Sequence, residues 1–262
     1  MSISYKSIGR IRGILFDKDG TLIDFHSIWI PFAFELIRKQ LSEYGFDSGY
    51  EQYLLEQMGL CPDGNIAPGS IYASGTLEDM AQLIYTCLAE RQNEQGKELP
   101  DFHTFLRNIR SEAGSFITAN KSKIRTIGNA GGTMAALREN GFILGISTSD
   151  CEENTRICLE ETGLLKYFDY VGCPDGNKKP KPSGDILLDF CISNGMNSDE
   201  VAVVGDTSTD MIFAVQNHAG LAIGVLSGVG DKNSLADADI LLQDVNELTA
   251  IFALRKTMPN KI

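Results

Sequence analysis

Apolar residues set successive rhythms along this chain. The run "IRGILF" (11–16) reads as a short buried strand. From about Phe25 to Arg125 apolar residues instead recur at three- and four-residue steps. "SIWIPFAFELIRKQLSEYG", "GYEQYLLEQMG", "TLEDMAQLIYTCLAERQN" and "DFHTFLRNIRSEAGSFI" each present one apolar stripe, which predicts helices. Ser27 is placed to cap the first, with Gly45 just past its end. The Pro-, Gly- and Ser-rich stretch "LCPDGNIAPGSIYASG" predicts a loop. After Arg125 the pattern changes again. "FILGIS", "FDYVGC", "VAVV", "LAIGVL" and "ADILL" read as strands, separated by helical stretches such as "GGTMAALRENG", "CEENTRICLEETG", "SGDILLDFCISNG" and "STDMIFAVQNHAG", and "DVNELTAIFALRK" closes the chain as a helix. Strands alternating with helices predict βαβ units and a parallel sheet of α/β class.

Ligands of such sheets bind at the carboxyl ends of the strands, so the residue after each strand is where chemistry is expected. The first strand runs into Asp17-Lys18-Asp19-Gly20-Thr21, and "FILGIS" into Thr148-Ser149-Asp150. "FDYVGC" leads to a loop holding Lys178, Lys179 and Lys181, and "VAVV" to Gly205-Asp206-Thr207-Ser208-Thr209-Asp210. Two acids in one tight turn after a buried strand repel each other and are costly to bury without a partner. Asp206 and Asp210 are one helical turn apart and share a face. Read alone, "GDTSTD" is also an N-capped helix in which Asp206 caps.

Charge and cysteine content narrow the partners. The net charge of −12 disfavours nucleic acid and anionic membranes, both of which need a positive face. No run of eighteen apolar residues predicts a membrane span, and the first residues lack a signal-peptide core. Six cysteines without a Cys-x-x-Cys pair, beside three histidines, argue against a zinc site and for reduced thiols in the cytoplasm.

"DKDGT", a Thr ending an apolar strand, "KPKP" and "GDTSTD", in this order and each after an expected strand, resemble the four motifs of the haloacid dehalogenase superfamily of phosphohydrolases, in its phosphoglycolate-phosphatase-like branch. The resemblance implies a Rossmann-like core of residues 1–24 and 126–262, with a mainly helical cap of residues 25–125 inserted between the first and second motifs and the active site between the two. It also implies Mg²⁺-dependent hydrolysis of a small phosphomonoester, of phosphoglycolate or sugar-phosphate type. Asp17 would be the nucleophile and Asp19 the general acid and base, its pKa raised by neighbouring carboxylates. Asp17, Asp206 and the Asp19 backbone carbonyl would hold Mg²⁺, with Asp210 acting through a water. Thr148 would donate to a phosphate oxygen, helped by the backbone around Lys18, Asp19 and Gly20, with Ser149 beside it. Lys179, which precedes Pro180 as in the family motif, would pair with Asp17 and phosphate, leaving Lys178 and Lys181 as surface charges.

Asp19 argues against dehalogenase and phosphonoacetaldehyde-hydrolase chemistry, whose family members lack an acid there. A phosphomutase shares all four motifs and differs in passing the phosphoryl group to a second hydroxyl; a non-catalytic binder would not need every acid. Asp24 either sits at the hinge or caps the following helix. His218 is expected at a helix C-terminus, and Trp29, Phe32 and Phe34 as packing within the cap. Substrate identity and oligomeric state are not legible in these residues.

Overall fold

The structure, a computed structural model, describes residues 5–92 and 98–253. Its described strands are β1 (Gly13–Phe16), β2 (Ile143–Ser147), β3 (Tyr170–Gly172), β4 (Val201–Gly205), β5 (Leu221–Val225) and β6 (Ile240–Leu242). They form one six-stranded sheet in the order β3-β2-β1-β4-β5-β6, every pairing parallel. β1 lies in the middle and every residue of it is buried, as a central parallel strand requires. The chain works outward from β1 through β2 to β3, then returns to place β4 on the other side of β1. The order reverses there, at the ends of β1 and β4, where Asp17 and Asp206 follow.

The helices in chain order are α1 (Tyr5–Arg10), α2 (Phe25–Tyr44), α3 (Glu51–Met58), α4 (Ile71–Ser74), α5 (Leu77–Arg91), α6 (Phe102–Asn120), α7 (Ala130–Glu139), α8 (Glu152–Glu161), α9 (Asp185–Asn194), α10 (Ser208–Gln216) and α11 (Leu248–Ala253). Parallel crossovers are right-handed, so helices joining strands laid down in opposite directions cover opposite faces. α7 and α8 lie on one face; α9 and α10 lie on the other. Leu15, Val201 and Val203 pack there with Ile186, Phe190, Met211 and Phe213. A Cβ on Gly13 or Gly145 would stand 2.9 or 2.8 Å from the Phe190 ring, so the bare backbone at these strand positions lets α9 press onto the sheet.

The chain divides into two compact units, Met1–Asp24 with Ile124–Ile262, and Phe25–Lys123. The second crossing precedes residue 125 because Ile23 bridges to Thr126 and the Asp24 amide donates to the Arg125 carbonyl at 2.9 Å, which ties both segments into the first unit. The inserted unit has its own core. Phe32 meets Phe116, Tyr85 meets Phe105, and Trp29 lies between Phe25 and Phe32. A Thr76–Asp79 capping box starts α5 and the Asp101 side chain caps α6. Ser27 is not the cap of α2. The helix starts at Phe25, because its buried stripe extends back through Ile28 to Phe25. Gly45 follows its end with φ 73°, in the left-handed region that glycine enters without strain. The expected loop at 60–75 contains one helical turn, α4, capped by Ser70. Among the described residues no helix is long and apolar enough to cross a membrane.

Candidate active site

Asp17 continues β1: its amide donates to the Val204 carbonyl at 2.8 Å, which holds it in register at the sheet's edge. Its Oδ1 accepts from Lys181 Nζ at 2.6 Å, and the same ammonium donates to Asp210 Oδ1 at 2.5 Å. Asp17, Asp206 and Asp210 are all buried, and each brings one carboxylate oxygen within 4.8 Å of the others.

Each acid is held from a second direction. Asp206 Oδ1 accepts from Thr21 Oγ1 at 3.0 Å and its Oδ2 from the Val229 amide at 2.9 Å. Asp206 does not cap α10. Thr207 does, in a reciprocal box with Asp210, whose Oδ2 accepts from the Thr207 amide and hydroxyl at 3.1 and 2.6 Å. That arrangement spends one Asp210 oxygen on the helix start and turns the other toward Lys181. Gly20, at φ 83°, and Gly228 wall Asp206 so closely that a Cβ would sit 2.3 or 1.9 Å from its Oδ2. Gly205 likewise faces Asp210 at 2.3 Å from its Cβ and Cγ. Gly205→Ala is therefore expected to displace Asp210 and cost about 1–3 kcal/mol by overpacking, read by urea unfolding.

Burial pushes the Asp17 carboxyl up to about 7, although Lys181 pulls it down. Burial first, and then Asp17 and Asp210, hold Asp206 well above the ordinary carboxylate range. Burial works against the Lys181 ammonium, but Asp17 and Asp210 outweigh it and keep the group charged. Three clustered carboxyls thus have one ammonium, which contacts Asp17 and Asp210, and they offer hard oxygen donors, which fits Mg²⁺.

In the metal-free protein, folded Asp17 keeps its proton up to about pH 7, whereas the unfolded chain releases it near 3.8. The folded state then binds more protons between these values, so its stability falls as pH rises from about 4 to 7. Mg²⁺ is expected to offset that loss and raise the melting temperature more at pH 8 than at pH 5. Equal shifts at the two pH values would count against these acids as its ligands.

The other expected residues divide. Thr148 is buried, its amide donates to the Gly172 carbonyl at 3.1 Å, and its Oγ1 accepts from the Asp150 amide at 3.2 Å, which leaves the hydroxyl proton to donate elsewhere. Ser149 is half-buried at the same strand end. Ser147, beside Asp17 by extension of the β1–β2 register, is buried, and among the described residues its Oγ has no hydrogen-bond partner. The Asp19 carboxylate turns to Lys18, 2.6 Å from Nζ, and is not in the acidic triad.

One lysine sits elsewhere than expected. Lys179, expected against Asp17, is exposed, and its backbone amide is bound to Asp185 Oδ2 at 2.9 Å. Asp185 is the first residue of α9, so this bond pins Lys179 outside the cluster while Lys181, two residues on, reaches in. The sequence carried a usable signal, since the second Lys-Pro pair stands four residues before the helix start. Lys18, expected to serve through its backbone amide, turns its side chain into the core. It is fully buried, with its ammonium 2.9 Å from Asp150 Oδ2.

The segment "SGVG" (227–230) was not anticipated, yet Val229 and Gly228 hold Asp206, and Ser227 Oγ donates to the Gly20 carbonyl at 2.9 Å. It follows β5 at the same sheet edge, and two glycines after a strand were the signal.

A family model described as haloacid dehalogenase-like hydrolase matches residues 14–223. The chain is similar to a phosphoglycolate phosphatase of Neisseria meningitidis, 24% identical over 261 residues that cover 97% of this chain and 98% of that protein. It is also similar to a pyrophosphatase, PpaX, of Bacillus velezensis, 22% identical over 94% of this chain and 98% of that one. Among solved structures, a predicted phosphoglycolate phosphatase from Haemophilus somnus superposes with a TM-score of 0.68 at 19% identity, over 92% of this chain and 98% of that one. At that identity the likeness speaks to the fold.

Proposed function

Because the chain belongs to the haloacid dehalogenase-like hydrolase family, we propose that it is a Mg²⁺-dependent phosphatase that hydrolyses a small phosphomonoester through an aspartyl-phosphate on Asp17. The observation that carries this reading is the contact of Lys181 with Asp17, at the end of the central strand and inside a buried carboxylate triad. A buried acid at a strand tip, held in line by an ammonium, has the arrangement a carboxylate nucleophile needs.

In this reading an Asp17 oxygen attacks phosphorus and the bond from phosphorus to the leaving oxygen breaks. Asp19 gives its proton to that oxygen. It then takes a proton from water, whose oxygen attacks phosphorus and releases inorganic phosphate with Asp17 restored. Lys181 fixes Asp17 and its charge opposes that of the incoming phosphate. The Thr148 hydroxyl donates to a phosphate oxygen. Asp17, Asp206 and Asp210 would hold Mg²⁺, with the Asp19 backbone carbonyl; when bound it neutralises charge on the phosphoryl group. The substrate class is a small phosphorylated metabolite, with phosphoglycolate and sugar phosphates first to try. Pyrophosphate joins the panel because one relative is a pyrophosphatase.

The test is phosphate release from that panel with Mg²⁺ and with chelator. Metal-dependent release supports the reading. Conversion of a sugar phosphate to its isomer, without free phosphate, would replace it with a phosphomutase. Binding of phosphate compounds without any turnover would leave a non-catalytic binder.

A further inference from the structure

Lys18 is among the largest side chains fully buried in this fold, and the reaction written above gives its side chain no task. Its Nζ lies 2.6 Å from Asp19 Oδ2 and 2.9 Å from Asp150 Oδ2. Asp150 is itself anchored: its Oδ1 accepts from the Cys151 amide at 2.8 Å and from Asn154 Nδ2 at 3.2 Å. Asn154 is buried in the first turn of α8. The side chains of Lys18, Asp150 and Asp19 are 0%, 6% and 14% exposed, so the line of contacts runs from the start of a core helix outward and ends on Asp19.

Burying such a pair is a poor way to gain stability, because apolar residues of similar size usually pack as well or better without the desolvation cost. Its geometric effect is more specific. Asp19 stands in a tight turn closed by the Gly20 amide on the Ile23 carbonyl at 2.7 Å. Its side chain has two rotatable bonds, and a general acid must meet the leaving oxygen within hydrogen-bond reach. Lys18 engages Oδ2 and thereby sets the carboxyl plane, so the proton in transit rides on Oδ1.

We propose that Lys18, anchored by Asp150 and Asn154, is a positioning residue that aims the Asp19 carboxyl at the leaving oxygen. The proposal rests on the phosphatase reading, in which Asp19 supplies that proton. Lys18 neither gives nor takes one; the proton moves from Asp19 to the leaving oxygen as the phosphorus–oxygen bond breaks.

The dependence on leaving group separates this role from a structural one. The 4-nitrophenolate of 4-nitrophenyl phosphate departs without a proton, whereas an alkoxide needs one. The probes are 4-nitrophenyl phosphate and whichever of phosphoglycolate or glycerol phosphate the wild type hydrolyses faster. The variants are Lys18→Met and the double variant Lys18→Met/Asp150→Asn, which removes both charges together. In both variants the alkyl-to-aryl ratio of kcat/KM, which reports the step in which the leaving group departs, is expected to fall about tenfold or more. The double variant should recover the thermal stability that Lys18→Met loses, without recovering the ratio. Should Lys18→Met fail to fold, the double variant decides alone. An unchanged ratio, or one that returns with stability, overturns the proposal while the phosphatase reading stands. A wild type that releases phosphate from neither ester overturns that reading, and the proposal with it.

Discussion

Asp17→Asn is expected to lower phosphate release by at least ~10³-fold on every substrate, because an amide cannot form the acyl-phosphate and catalytic groups that act together fail together. The same substitution should raise, not lower, the melting temperature of the metal-free protein above pH 7. The Asp17 carboxyl is pushed up to about 7 by burial, so its ionised form is held in the fold against a desolvation cost that a neutral amide of the same shape does not meet. Gain of stability with loss of function is the signature of a site kept for chemistry. Phosphate release and thermal melts on one preparation read both effects. Equal turnover by wild type and variant would remove Asp17 as the nucleophile.

Lys181→Met carries the second large effect, and Lys179→Met is its control. Lys181 Nζ is shared by Asp17 and Asp210 in a buried setting, with side chains 4%, 10% and 1% exposed. Removing it strands carboxylates without their cation, which for a buried pair costs about 3–5 kcal/mol. Activity should fall about 10²–10³-fold, in line with the loss of a charged group at a site of developing charge. Mg²⁺ should return part of the lost stability, since it answers the same excess of negative charge, but not the activity. Lys179 is exposed, so its replacement should change stability by less than about 0.5 kcal/mol and turnover little. Were Lys179→Met the damaging variant, the loop between β3 and α9 would be arranged differently in the working enzyme. Urea unfolding with steady-state kinetics on both variants decides.

Residues that act through local pattern were legible in the chain itself. The strand "ILF", the later alternation of strands and helices, and the strand ends carrying Asp17, Thr148 and Asp206 follow from periodicity and from the position of ligands in parallel sheets. Asp210 was read from helical spacing to Asp206, but α10 starts only at Ser208, and it is the Thr207–Asp210 capping box that brings Asp210 to the cluster. What remained open depended on contacts between distant segments. Lys179 and Lys181 stand in near-identical Lys-Pro contexts, and only the bond from the Lys179 amide to Asp185 decides which one enters the cluster. The chain alone gives the Lys18 side chain no partner beyond its neighbours; Asp150, 132 residues away, takes its ammonium. Val229 and Gly228 come to Asp206 through a backbone amide and a missing side chain, which no residue type in the segment announces. The strands and the acids at their ends were thus readable from the chain, because each rests on the periodicity of one short segment. Tertiary structure alone decided which cation meets which acid and which glycines wall them in, because burial makes an unpaired charge costly and so selects partners by three-dimensional reach.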